Sequence, residues 1–214
     1  MKVKNIILDF GGVIIDVDYH RVAESFRKSG AEKFENLYSK KEQAVFFDDF
    51  EKGSITDEQF RDKLRKYLPE GITDDQIDTA WNSMVNSIPQ ARMDFLHELK
   101  KKYRLFLLSN TNSIHTRYFT AKLSVRFGER CLEKIFEKIY LSFQVGMRKP
   151  DAEIFNKVMS ENNLSYEETV FIDDSIQHVE GAWRAGLTAL HLDLTKTVLE
   201  KFLPEWLEGQ QQSV

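Results

Sequence analysis

Two apolar runs that stop abruptly in carboxylates constrain this chain more than anything else in it. Residues 3–8 are rich in apolar and β-branched side chains without a helical period, and they end in Asp9-Phe10-Gly11-Gly12. Far downstream, Thr169-Val170-Phe171-Ile172 runs into Asp173-Asp174-Ser175 in the same way. Short apolar runs of this kind read as buried strands. In an open parallel sheet, ligands sit outside the carboxyl ends of the strands. Asp9 therefore stands where a ligand would, and Gly11 and Gly12 let the backbone approach it closely. On that stretch alone, an ordinary strand stop in which Asp9 caps a turn fits equally well.

The rest of the chain supplies the context. From Pro89 onward strand and helix alternate. Pro89 suits the first position of a helix reaching Lys102. Arg104-Leu105-Phe106-Leu107-Leu108-Ser109-Asn110 is a second strand, and residues 112–127 return to helix. Residues 138–142 form a weaker strand, followed by a loop carrying Gly146-Met147-Arg148-Lys149-Pro150-Asp151. Ile154, Phe155, Val158 and Met159 mark an amphipathic helix, and Ile176, Val179 and Ala182 mark another that ends at Gly186. A last strand spans 187–192. Repeated βα units imply a parallel sheet with helices on both faces.

Residues 19–88 read differently, as helix without a convincing strand. Thr56 with Gln59 and Thr73 with Gln76 match capping boxes. Phe60, Leu64 and Leu68 repeat at helical spacing, as do Ile77, Trp81 and Met84. This stretch is a compact insert of about four helices. The expected organisation is a core of residues 1–16 and 89–208, a helical cap over 17–88, and a disordered tail over 209–214.

Composition narrows the partners. The net charge is −4, from 30 basic and 34 acidic residues, and no basic block argues for nucleic acid or an anionic membrane. Cys131 is the single cysteine, which excludes an internal disulfide and zinc ribbons. The N-terminal apolar run is cut by Asp9, too short for a signal-peptide core, and no stretch approaches a membrane span. A cytoplasmic protein, monomeric or a small homo-oligomer, is the expectation.

Asp9, Ser109, Lys149 and the pair Asp173-Asp174 would gather at one edge of such a sheet. A serine or lysine after a strand is by itself usually a solvated loop residue. Together these residues make a carboxylate nucleophile, a hydroxyl donor, a fixed cation and an acidic pair for a hard metal. Mg²⁺ suits one or two carboxylates with water and substrate phosphate, and a lysine offers a phosphoryl oxygen a point charge. Three carboxylates this close need such cations to stay ionised.

At these residues the chain resembles the haloacid dehalogenase superfamily. The resemblance spans nearly the whole chain and implies an α/β fold, a Rossmann-like parallel sheet core with a small α-helical cap inserted after the first strand. It implies that Asp9 is the nucleophile that becomes an aspartyl-phosphate, Ser109 the phosphate-binding hydroxyl and Lys149 the stabilising lysine. Phe10, Gly11 and Asn110 would join Ser109 and Lys149 around the phosphate. Asp174 matches the direct Mg²⁺ ligand, with Asp173 either a ligand through water or an acid standing behind the ligands, and Asp9 and the Gly11 carbonyl would complete the set. Most phosphatases of the superfamily carry Asp-x-Asp, the second Asp protonating the leaving group; here that position is Gly11. The motifs Ser109-Asn110-Thr111-Asn112 and Gly146-Met147-Arg148-Lys149-Pro150 resemble a bacterial subgroup that includes α-D-glucose 1-phosphate phosphatases, although Gly12 stands where that subgroup usually has Asn.

The expected activity is a Mg²⁺-dependent phosphatase acting on small phosphorylated metabolites, such as sugar 1-phosphates. A metal-free 2-haloacid dehalogenase is the enzymatic alternative, against which the acidic pair speaks. A non-catalytic protein that binds a phosphorylated metabolite is the other. Asp16 and His20 follow the first strand and are candidates to replace the missing acid from the hinge. His115 and His178 are expected to be satisfied histidines, His97 and His191 structural, and Arg148 a phosphate contact or a salt bridge.

Overall fold

The computed structural model describes residues 2–31, 34 and 45–212. Its centre is a five-stranded, all-parallel sheet. The strands are β1 (Asn5–Leu8), β2 (Arg104–Ser109), β3 (Lys138–Leu141), β4 (Thr169–Asp173) and β5 (Thr188–His191). Their spatial order is β3-β2-β1-β4-β5. The chain therefore builds outward from β1 in one direction, then crosses back and builds in the other. The reversal lies at β1, where an open α/β sheet offers its ligand crevice.

Alternation along the strands divides the core. Ile6, Leu8, Leu105, Leu107, Val170 and Ile172 point into one apolar cluster. Ile7, Phe106, Leu108 and Phe171 point into the other. The second face is covered by α8 (Ala152–Glu161) and α9 (Ile176–Arg184). The first carries α5 (Gln90–Leu99), α6 (Ser113–Phe127) and α10 (Leu199–Gln212). A short α7 (Ser142–Val145) follows β3.

The insert holds α1 (Tyr19–Lys28), α2 (Val45–Glu51), α3 (Asp57–Arg65) and α4 (Asp74–Asn82). Both capping boxes expected from sequence are formed, at Thr56 and Thr73. Phe26, Phe47, Phe60 and Trp81 pack in the same apolar cluster as the first face of the sheet. Two passes of chain join insert to sheet and lie antiparallel, through the Val17–Val85 bridge. Asp18 N–H donates to Met84 O (2.9 Å) and Asn86 N–H to Asp16 O (3.0 Å).

One expectation is corrected. The tail from Gly209, read as disordered, continues as helix to Gln212, and residues 213–214 lie outside the described residues. Leu199, Leu203 and Leu207 are buried at helical spacing, so an apolar stripe anchors α10 and its polar last turn extends from it. No helix among the described residues is long and apolar enough to cross a membrane.

Close packing at Gly181 sets where the loop after β3 sits. A Cβ there would lie 2.4 Å from Pro150 O and 2.7 Å from Pro150 Cβ, so only glycine lets α9 touch the residue next to Lys149. Gly181→Ala should lower unfolding free energy by about 1–3 kcal/mol in a urea titration. Unchanged stability would mean that the loop is not held there.

Candidate active site

The sheet places Asp9, Ser109 and Asp173 at one edge by register. Leu8 pairs with Leu107 on one side and Ile172 on the other. Asp9 N–H continues the ladder by donating to Ile172 O (2.9 Å), which brings Asp9 beside Asp173. Ser109 is the last residue of β2. Gly12, with φ of +82°, turns the chain here; a Cβ would lie 2.6 Å from Asp174 Oδ2. Glycine is thus what lets the first loop pass against that carboxylate.

Lys149 reaches this edge from the loop after α7 and is completely buried. Its ammonium donates to Asp9 Oδ1, to Asp173 Oδ2 (2.6 Å) and to Leu108 O (3.0 Å). An ammonium has three protons, and all are used. Asn110 holds the backbone of the same residue from both sides. Its Nδ2 donates to Lys149 O (2.9 Å) and its Oδ1 accepts from Lys149 N–H (2.9 Å). The Asn110 side chain, expected at the phosphate, therefore holds Lys149. Next to it, Thr111 N–H donates to Ser142 Oγ (2.9 Å), which donates back to Thr111 O (3.0 Å).

Oxygens of Asp9, Asp173 and Asp174 lie within 4.8 Å of one another. This hard-oxygen set fits a cation such as Mg²⁺. One ammonium cannot balance three carboxylates, and the imbalance falls on Asp9. Burial pushes the Asp9 pKa up to about 8; Lys149 opposes this, while Asp173 and Asp174 add to it. Burial alone would raise Asp173 too, but Lys149 and His178 outweigh it and hold that carboxyl low. A divalent cation among the three would keep Asp9 ionised.

Asp173 is fully committed. Besides Lys149, its oxygens accept from Ser175 N–H (2.8 Å) and from His178 Nδ1 (3.0 Å). His178 thus orients Asp173, a concrete form of the satisfied histidine expected from sequence. Asp174 is only half-buried and lines the cavity with Asp9, Phe10, Gly11, Ser109 and Asn110. That cavity measures about 550 Å³.

Asp16 and His20 are not brought to it. Gly12 N–H donates to Ile15 O (2.8 Å), and Ile15 N–H to Phe10 O (2.9 Å). This tight turn sends Asp16 outward, where it accepts from Arg92 Nη1 (2.8 Å). His20 is exposed, one residue into α1. Neither lines the cavity, so the structure does not bring these two hinge candidates beside Asp9. Tyr19 does line it, and burial and the carboxylates of Asp174, Asp9 and Glu51 push its phenol pKa up. It is a neutral hydroxyl that sequence reasoning passed over. Asp48 and Glu51 also line the cavity, and both pair with Arg148 (2.9 and 2.8 Å). Arg148 is therefore a salt-bridge residue, joining the insert to the lysine loop. The available signal was the helix face: Phe47 and Phe50 turn inward, which leaves Asp48 and Glu51 adjacent, three apart, on the next face.

The chain belongs to the haloacid dehalogenase-like hydrolases, a family description that matches residues 3–186. Its relatives narrow the comparison further. It is 30% identical over 177 residues to a D-ribitol-5-phosphate phosphatase of Bacteroides thetaiotaomicron, covering 83% of this chain and 85% of that one. A haloacid dehalogenase family enzyme of Bacteroides thetaiotaomicron, solved with magnesium and inorganic phosphate, superimposes with a TM-score of 0.82 at 36% identity, over 91% of this chain and 96% of its own. A family hydrolase of Porphyromonas gingivalis gives 0.83 at 30% identity, over 98% of each chain.

The Asn110 clamp has a measurable consequence. Asn110→Ala strips two partners from the Lys149 backbone and should cost about 1–3 kcal/mol of stability in urea unfolding. Asn110→Asp keeps an acceptor for the Lys149 N–H and should lose less. Equal stability in all three proteins would contradict the clamp.

Proposed function

We propose that the protein is a Mg²⁺-dependent phosphatase of small hydroxylated phosphate esters, acting through an aspartyl-phosphate on Asp9. The observation that carries this reading is the cluster itself: a buried carboxylate held by Lys149, with two further carboxylates within 4.8 Å. The Bacteroides relatives, one named for ribitol 5-phosphate and one solved with magnesium and phosphate, support the same chemistry.

In this reading Asp9 attacks phosphorus in line with the ester oxygen, and water later hydrolyses the acyl phosphate. Bound at Asp9, Asp174 and the Gly11 carbonyl, with Asp173 behind them through water, Mg²⁺ would offset charge on the phosphoryl oxygens. Asp174, half-buried and lining the cavity, suits the inner sphere, because the oxygens of Asp173 are already engaged by Lys149, Ser175 and His178. Lys149 keeps Asp9 oriented, and Ser109 at the end of β2 offers a hydroxyl to the phosphate. The helices of residues 17–88 act as a cap that bounds the substrate side, through Tyr19, Met84 and Val85.

The identity of the leaving group divides two substrates. Gly11 has no side chain to protonate the leaving oxygen, which favours an acidic leaving group such as the anomeric oxygen of glucose 1-phosphate. Tyr19 offers a neutral hydroxyl in the same cavity, which would assist a primary alkoxide such as that of a pentitol 5-phosphate. The relative named for ribitol 5-phosphate favours the second.

A panel of esters assayed for phosphate release tests the reading. With Mg²⁺, pentitol 5-phosphate and glucose 1-phosphate should both be hydrolysed, and chelator should abolish turnover. A steep dependence of kcat/KM on leaving-group acidity would select the 1-phosphate, and a shallow one the 5-phosphate. No release from any ester, or chloride release from a 2-haloacid without metal, would overturn the assignment.

A further inference from the structure

Arg92 is a buried cation outside the cavity, and the chemistry described above leaves it without a task. It lies in the first turn of α5 and is 3% exposed. Its Nη1 donates to Ile14 O (3.0 Å) and to Asp16 Oδ1 (2.8 Å). Its Nε donates to Glu200 Oε2 (3.0 Å) in the first turn of α10. Buried ion pairs seldom stabilise a fold over apolar side chains of similar volume. What this guanidinium holds in place therefore matters more than its net energy.

It holds the turn that follows Asp9. Two consecutive peptide units run from Ile14 to Asp16. The first has its carbonyl on Arg92, and its N–H, that of Ile15, donates to Phe10 O (2.9 Å). The second is fixed at both ends: Ile15 O accepts from Gly12 N–H (2.8 Å), and Asp16 N–H donates to Ser87 O (3.1 Å). The Asp16 side chain, on the same Nη1, anchors that second unit from beyond it. Gly12 N–H belongs to the peptide that carries the Gly11 carbonyl. A trans peptide is planar, with its C=O and N–H pointing in opposite directions. The bond to Ile15 O therefore sets the direction of the Gly11 carbonyl. That peptide lies against Asp174: a Cβ on Gly12 would lie 2.6 Å from Asp174 Oδ2, and Gly11 lines the cavity with Asp9 and Asp174.

We propose that Arg92 is a positioning residue that orients the Gly11 carbonyl toward Mg²⁺ through the peptide units of Ile14 and Ile15. The inference rests on the Mg²⁺ reading of the site and adds to it a residue that touches neither metal nor substrate. It also ties α10, through Glu200, to the metal site.

The experiment measures metal binding and backbone protection in substrate-free protein. Arg92→Met keeps an unbranched stem in the buried slot and removes the donors. Titrating it with Mg²⁺ in a calorimeter should give a Kd about 10- to 100-fold above wild type. In metal-free protein, amide exchange followed by NMR should be faster at Gly12, while the Asp9 N–H in the strand ladder keeps its protection. Arg92→Lys keeps one donor for Ile14 O and should recover part of the affinity. A folded Arg92→Met protein with wild-type Kd would overturn the proposal. So would a raised Kd with Gly12 exchange unchanged, because the loss would then not pass through the turn. The wild type gives an arm independent of any variant's folding: Mg²⁺ should slow exchange at Gly12. Unchanged exchange in wild type that binds Mg²⁺ would overturn this inference alone. No Mg²⁺ binding by the wild type would overturn the metal reading with it.

Discussion

A single ammonium set among three carboxylates is the constraint that the rest of the structure serves. Burying Lys149 completely is tolerable only because each of its three protons has an acceptor. Keeping those bonds requires the lysine loop to be fixed at several points. Asn110 grips its backbone from the end of β2, Gly181 lets α9 press against Pro150, and Arg148 ties it to Asp48 and Glu51. The ion cluster is thus held by β2, α9 and α2 together. Because Asp9 still bears excess negative surroundings, the three ionised carboxylates and one ammonium are two positive charges short of balance, which a divalent cation supplies.

The same anchoring joins the ion cluster to the insert. The salt bridges from Arg148 run between the loop that holds Lys149 and a helix of the insert. The rest of the cavity wall is built from that insert and from α6. The insert thus meets the lysine loop through ionic contacts, and His115 and Phe119 of α6 line the cavity on the other side. Partly exposed ion pairs such as Arg148–Asp48 contribute modest energy, so their role is to set geometry.

Much of this was legible in the sequence, for a definite reason. Buried parallel strands are continuous apolar runs, so the points where they stop in Asp9, Ser109 and Asp173 are visible without coordinates. Two capping boxes announced α3 and α4. What could not be read depends on contacts between distant segments. Tyr19, Asp48 and Glu51 reach the cavity only because the insert folds over the sheet edge. Asn110 stands beside Ser109 in a motif that suggests a phosphate site, yet its amide matches the backbone of a residue 39 positions away. Asp16 and His20 are near Asp9 in sequence but not in space, because a tight turn at Gly12 separates them. The tail was judged by polarity, although Leu199, Leu203 and Leu207 hold α10 from inside.

The central claim is that Asp9 accepts the phosphoryl group. Acid-quenching the enzyme during turnover of a phosphate ester with Mg²⁺, then mapping the modified peptide by mass spectrometry, tests it most directly. The account predicts a phosphoryl group on Asp9, absent with chelator and absent in Asp9→Asn, which should also lose turnover. A phosphoryl group on another residue, or full turnover by a folded Asp9→Asn protein, would contradict it.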